Sequence, residues 1–136
     1  MYEVFEHTAD IGLRIRAASL NELFADAARG LFALIVENLD AVRLLQVESL
    51  HLDCDEREYL LFDWLNELLF RFDSRGLLYA EFNIGVTDRG LDAELRGESL
   101  DVGRHRLDHE VKAITYHGLK VEQTPDGWLA EVILDI

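Results

Sequence analysis

Two stretches of this chain repeat their apolar residues every three or four positions, and most of the rest alternates by twos. The first stretch carries Leu20, Leu23, Phe24, Ala27, Leu31 and Leu34. The second carries Leu60, Leu61, Trp64, Leu65, Leu68, Leu69 and Phe72. The first spacing paints a stripe along an α-helix, and alternation gives a strand one buried face. Two amphipathic helices cannot hide their stripes alone. The economical arrangement lays both on one face of a largely antiparallel sheet, an α+β fold. The 136 residues suit one domain, residues 1–136.

Local signals place the elements. Ser19-Leu20-Asn21-Glu22 is a capping box, so the first helix is expected from Ser19 to about Val36. Gly30 inside it costs about 1 kcal/mol against Ala, which a close contact with a neighbouring element would offset. Asp55 is the expected cap of a second helix from about Glu56 to Ser74, with Glu67 and Arg71 spaced to pair and Gly76 as a left-handed stop. Strands are expected at Tyr2–Phe5, Ile11–Ala17, Val42–Asp53, Leu77–Val86, Leu91–Glu98, Val111–Glu122 (interrupted at Gly118) and Trp128–Asp135. Turns fall at Thr87-Asp88-Arg89-Gly90 and Gln123-Thr124-Pro125-Asp126-Gly127.

Charge narrows the function. Lys and Arg number 13 against 27 Asp and Glu, a net −14. So acidic a chain repels phosphate backbones, which argues against tight direct nucleic-acid binding. It suits cations or a basic protein surface, or simply keeps the protein soluble. The single cysteine, Cys54, permits no internal disulfide, as in a reducing cytosol. Met1-Tyr2-Glu3 opens a strand-like run rather than a signal peptide, and no apolar stretch nears the length of a membrane span, so a cytoplasmic protein is expected.

The residues with chemical potential each carry two readings. The sequence closes at Leu134-Asp135-Ile136, setting a side-chain carboxylate beside the terminal one. That is either an oxygen cluster for a hard divalent cation or a strand that finishes there. Asp10, in His7-Thr8-Ala9-Asp10-Ile11-Gly12, is a metal ligand or general base, or the cap of a tight bend. Glu98, Asp101, Arg104, His105, Asp108, His109 and Glu110 crowd an irregular segment, as a catalytic cluster or as a solvated loop. Alternation along Val111–Leu119 puts Lys112 and Tyr116 on one face, where they meet an anion or are an exposed Lys and a half-buried Tyr. No Gly-rich phosphate loop or serine elbow is present, and acidic neighbours disfavour a reactive Cys54 thiolate. The aromatic residues read as core.

In combination the motifs resemble the archease family. The resemblance rests on His7-Thr8-Ala9-Asp10-Ile11-Gly12, Leu61-Phe62-Asp63-Trp64-Leu65-Asn66-Glu67-Leu68-Leu69, Gly97-Glu98, Glu110-Val111-Lys112-Ala113-Ile114-Thr115-Tyr116-His117 and Val132-Ile133-Leu134-Asp135-Ile136, in order over essentially the whole chain. It implies a non-enzymatic activator of RtcB-type RNA ligases, which join 2′,3′-cyclic or 3′-phosphate ends to 5′-hydroxyl ends in tRNA splicing and RNA repair. Such an activator promotes guanylylation of the ligase and restores it for further turnovers. The resemblance also implies that Asp10, Asp135 and Ile136 bind a divalent ion, calcium first, with magnesium or manganese as alternatives. Lys112 and His117 are candidate contacts to the ligase. Two other readings compete with it: a stand-alone metal-dependent hydrolase built on Asp10 and Asp135, and a chaperone-like interaction module whose cation is structural.

Overall fold

The computed structural model describes residues 1–7 and 10–136. Among them, eight strands and two helices run in the order β1 (Tyr2–His7), β2 (Asp10–Ala17), α1 (Leu20–Ile35), β3 (Gln46–Asp53), α2 (Arg57–Arg75), β4 (Leu77–Thr87), β5 (Gly90–Ser99), β6 (Ala113–Ile114), β7 (Lys120–Thr124) and β8 (Gly127–Asp135). The fold is α+β, as expected, and among the described residues the strand pairings are antiparallel. The strands form two sheets rather than one. The larger runs β1-β2-β8, with β6 and β7 sharing the far edge of β8, and the smaller runs β3-β5-β4. Helix α1 packs against β2 of one sheet and β4 of the other, so a single stripe serves both.

Most local signals hold. The Ser19 hydroxyl accepts from the Glu22 amide at 3.2 Å and starts α1. A Cβ on Gly30 would stand 3.1 Å from the Tyr2 ring and 3.2 Å from Leu13, the close approach that its place in a helix required. Arg71 and Glu67 pair at 3.1 Å. Gly76 ends α2 at φ 66 and ψ 28. The cap of α2 differs: Glu56, not Asp55, takes that position, and its side chain makes no capping bond. Val42–Leu45 lie outside β3, following a short 3₁₀ turn at Leu39–Ala41.

The largest departure is Val111–Glu122, which is not one strand. Residues Ala113–Ile114 pair with the end of β8 and Lys120–Thr124 with its start. Between them the chain leaves the sheet, with Gly118 at φ 65 and the Tyr116 ring stacked on Phe62 of α2 at 4.0 Å between centroids. Tertiary stacking has overridden a strand-like pattern.

The helices meet through a buried polar bond. The Trp64 indole N–H donates to the Phe24 carbonyl at 2.9 Å, and the Trp64 ring meets Phe82 edge-on at 6.1 Å. Phe32 joins the cluster against Tyr79 and Phe82.

A second polar knot fixes the irregular segment after β5. Buried Glu98 accepts from the Arg43 amide at 2.6 Å, from the Arg104 guanidinium and from His105 Nε2 at 3.0 Å. The Asp101 amide donates to His105 Nδ1 at 2.9 Å, which leaves the imidazole proton on Nε2 facing Glu98. Burial raises the Glu98 pKa, but these donors outweigh it and bring it from 4.5 to about 2. A depressed carboxyl contributes stability that is complete above its unfolded pKa and is lost as pH falls from 4.5 toward about 2.

Two outcomes follow. Trp64→Phe should lower the urea midpoint with an unchanged slope, a loss of about 1–3 kcal/mol from an unpaired carbonyl and lost packing. Glu98→Gln should cost about 3 kcal/mol at pH 7, and the gap to the parent protein should close between pH 4.5 and 2 when both are unfolded across that range.

Candidate functional site

The site is set by the register of β2 against β8. The rungs Ile11–Leu134, Leu13–Val132 and Ile15–Ala130 turn six apolar side chains into the core. Because side chains alternate along a strand, Asp10, Gly12 and Arg14 and their partners Asp135, Ile133 and Glu131 face the other way. Two rungs on this outer face contrast. Arg14 and Glu131 are partners of opposite charge, 3.2 Å apart, and Lys120 approaches the same carboxylate at 3.2 Å. Burial raises the Glu131 pKa, but Lys120 and Arg14 prevail and hold it below the ordinary range. At the end of the ladder Asp10 is paired with Asp135, carboxylate across from carboxylate. Like charges directly opposite on neighbouring strands destabilise a sheet, and a cation between them removes the penalty.

Both aspartates and Ile136 are half-buried. The Ile136 side chain packs on the core, holding the chain end close to the Asp10–Asp135 rung. On the far edge of β8, Ala113 is the register partner of Asp135, and the Lys112 amide donates to the Asp135 carbonyl at 2.7 Å. Between the two aspartates' rung and Arg14, Gly12 lies under the Phe5 ring, which a Cβ would strike at 2.2 Å. The Arg14 guanidinium covers the same ring at 4.7 Å.

The structure thus brings Asp10, Asp135 and Ile136 together and puts the Lys112 backbone beside them. The Lys112 side chain and His117 are exposed on the segment that follows. Lys112 and Tyr116 do not share a strand face, because β6 spans only Ala113–Ile114. The bend expected at Thr8-Ala9 lies outside the described residues. Among the described residues no three His, Cys, Asp or Glu side chains converge as a complete metal cage. Any ion held here therefore draws on two carboxylates and main-chain oxygens, with water or a partner filling the remainder of a calcium shell.

The other candidates separate. Glu98, Arg104 and His105 satisfy one another inside the knot already described. Cys54 is half-buried, with Sγ 3.4 Å from the Glu56 carbonyl. Asp73 on α2 has its pKa raised by burial and then by the charge of Glu110. One surface departs from the expectation that the aromatic residues are core. Tyr59, Phe62 and Tyr116 form an aromatic group at the surface, with Tyr59 and Tyr116 48% and 57% exposed. The sequence did hold a signal: Tyr59 and Phe62 sit three apart and both fall outside the apolar stripe of α2.

Known proteins are similar to this chain in fold and sequence. The family described as "Archease protein family (MTH1598/TM1083)" matches residues 2–136. Curated relatives named "Protein archease" include one from Pyrococcus abyssi, 41% identical over 99% of this chain and 98% of its own length. Another, from Methanopyrus kandleri, is 37% identical over 99% of both chains. Among solved structures, protein 1598 of Methanobacterium thermoautotrophicum superposes with a TM-score of 0.84 at 30% identity, covering 99% of this chain and 98% of that one. A Thermotoga maritima protein described as an archease and "possible chaperone" superposes at 0.66 with 26% identity, covering 100% and 98%. A family match over nearly the whole chain, together with relatives above 30% identity, shows that this chain belongs to the archease family.

Proposed function

We propose that this archease is a non-catalytic, cytoplasmic accessory protein that activates an RtcB-type RNA ligase, promoting its guanylylation and repeated turnover in tRNA splicing and RNA repair. Family membership supports the accessory role. The observation that carries the site is the rung of like charges, Asp10 across from Asp135, beside the end of the chain at Ile136. In this reading Asp10 and Asp135 side chains and oxygens of Ile136 hold a divalent ion, calcium first. The ion would supply positive charge to a phosphate or to a ligase residue when the tip docks. The chain's own residues perform the remaining work: β2 and β8 hold the two carboxylates in register, and Ile136 anchors the end against the core. Lys112 and His117, exposed on the neighbouring segment, are proposed contacts to the ligase.

A chaperone-like module with a structural cation is the second reading, favoured by the description of the Thermotoga protein. The two differ in what the ion does. Ligase guanylylation and multiple-turnover ligation should be measured at fixed metal and GTP, with and without this protein. Substoichiometric stimulation is expected, and Asp10→Ala and Asp135→Ala should each reduce it about tenfold or more. Loss of an outer-sphere partner already costs 10- to 100-fold in metal affinity, and a direct ligand should cost no less. Both variants should remain folded and should bind calcium more weakly by calorimetry. Undiminished stimulation by metal-depleted protein would assign the ion a structural role. No stimulation at any ratio would remove the activator reading.

A further inference from the structure

We infer that the surface formed by Tyr59, Phe62 and Tyr116, rimmed by Glu56 and Glu58, receives an arginine side chain from a basic segment of a protein partner. The Tyr116 ring lies parallel to Phe62, with centroids 4.0 Å apart and planes 12° apart. Tyr59 meets the same ring edge-on at 5.7 Å. Both tyrosines are about half exposed. With Leu119, Glu56 and Glu58 they line an open groove of about 540 Å³. A group of exposed aromatic rings is costly to leave in water and marks a place where something docks.

Charge selects the occupant. Glu56 and Glu58 enter no ion pair among the described residues. The cation between them in sequence, Arg57, is turned away, its guanidinium 5.0 Å from the Trp128 ring and 3.5 Å from Asp88. The groove therefore offers aromatic faces and unneutralised carboxylates together. That pairing fits a guanidinium, which stacks on a ring and reaches carboxylates with the same planar group. A second copy of this chain would bring another acidic rim, and a nucleic acid would bring phosphates toward two glutamates.

The position adds to the case. Tyr116 follows Thr115, whose amide and hydroxyl both donate to the Ile133 carbonyl at 3.0 Å. Ala113, three residues before Tyr116, is the register partner of Asp135. The aromatic surface is thus tethered to the same strand end as the acidic rung. The inference deepens the accessory reading by naming the partner's chemistry, and it rests on that reading only for the partner's identity.

The test is a nitrogen-15 NMR titration of the full chain with an end-blocked tetra-arginine peptide, with tetra-lysine and short oligouridylate as comparisons. Saturable shifts centred on Tyr59, Tyr116 and Leu119 are expected, stronger for tetra-arginine. Tyr116→Leu keeps an apolar side chain on Phe62 but removes the ring, and should weaken binding about fivefold or more, as should Glu56→Gln with Glu58→Gln. Tyr116→Phe should retain it. Equal affinity for Tyr116→Leu, with shifts scattered over the acidic surface, would overturn the site as mere attraction to net charge. Saturable oligouridylate shifts at these rings would overturn the protein partner. The titration contains neither ligase nor metal, so its failure and that of the activator reading are separate results.

Discussion

The register between β2 and β8 is the constraint on which the molecule turns. Side chains alternate along a strand, so a slip of one residue would carry Ile11, Leu13 and Ile15 out of the core and Asp10 into it. Burial of those three residues against Leu134, Val132 and Ala130 is what forbids the slip. The same burial delivers Asp10 opposite Asp135. The like-charge rung is therefore not an independent invention of the surface. It is held in place by hydrophobic contacts on the other side of the sheet.

The protein treats its negative charge unevenly. Glu98 and Glu131 are enclosed by donors, and Glu48 likewise accepts from Tyr79, Arg71 and Arg75. Burial pushes the Glu48 pKa up, yet Tyr79, Arg75 and Arg71 bring it below the ordinary value, while burial and Glu48 push the Tyr79 hydroxyl up to about 12. These acids bind elements together and are spent inside the fold. Glu56 and Glu58 belong to a different class, carboxylates that enter no ion pair among the described residues, while Asp10 and Asp135 are register partners at a half-buried strand end. A net charge of −14 thus divides into charge that builds the structure and charge that faces outward.

The elements were largely legible because their signals are local. The stripe of Leu23, Phe24, Ala27, Leu31 and Leu34 with Ser19 before it defines α1 without reference to anything distant, and Gly76 marks the end of α2 for the same reason. The division into two sheets was not legible, since alternation says that a strand has one buried face but not which strand lies beside it. Val111–Glu122 misled for a related reason: its alternation is real, but the stacking of Tyr116 on Phe62 depends on a helix some fifty residues earlier. The candidate site was half legible. Composition and the Asp135-Ile136 close suggested oxygen ligands, and the family resemblance singled out Asp10. That Asp10 and Asp135 are register partners follows only from the folded sheet.

Strand β8 is flanked on both sides, by β2 along one edge and by β6 and β7 along the other. Its amides should therefore be among the last in the chain to exchange with solvent, since opening them requires the whole sheet to part. Asp135 closes this strand, at the boundary between the most protected backbone and open solvent. Its main chain is paired on both sides, with Asp10 and with Ala113, so engaging its carboxylate would cost little backbone entropy. Asp135 is thus presented from ordered sheet backbone, not from a flexible loop.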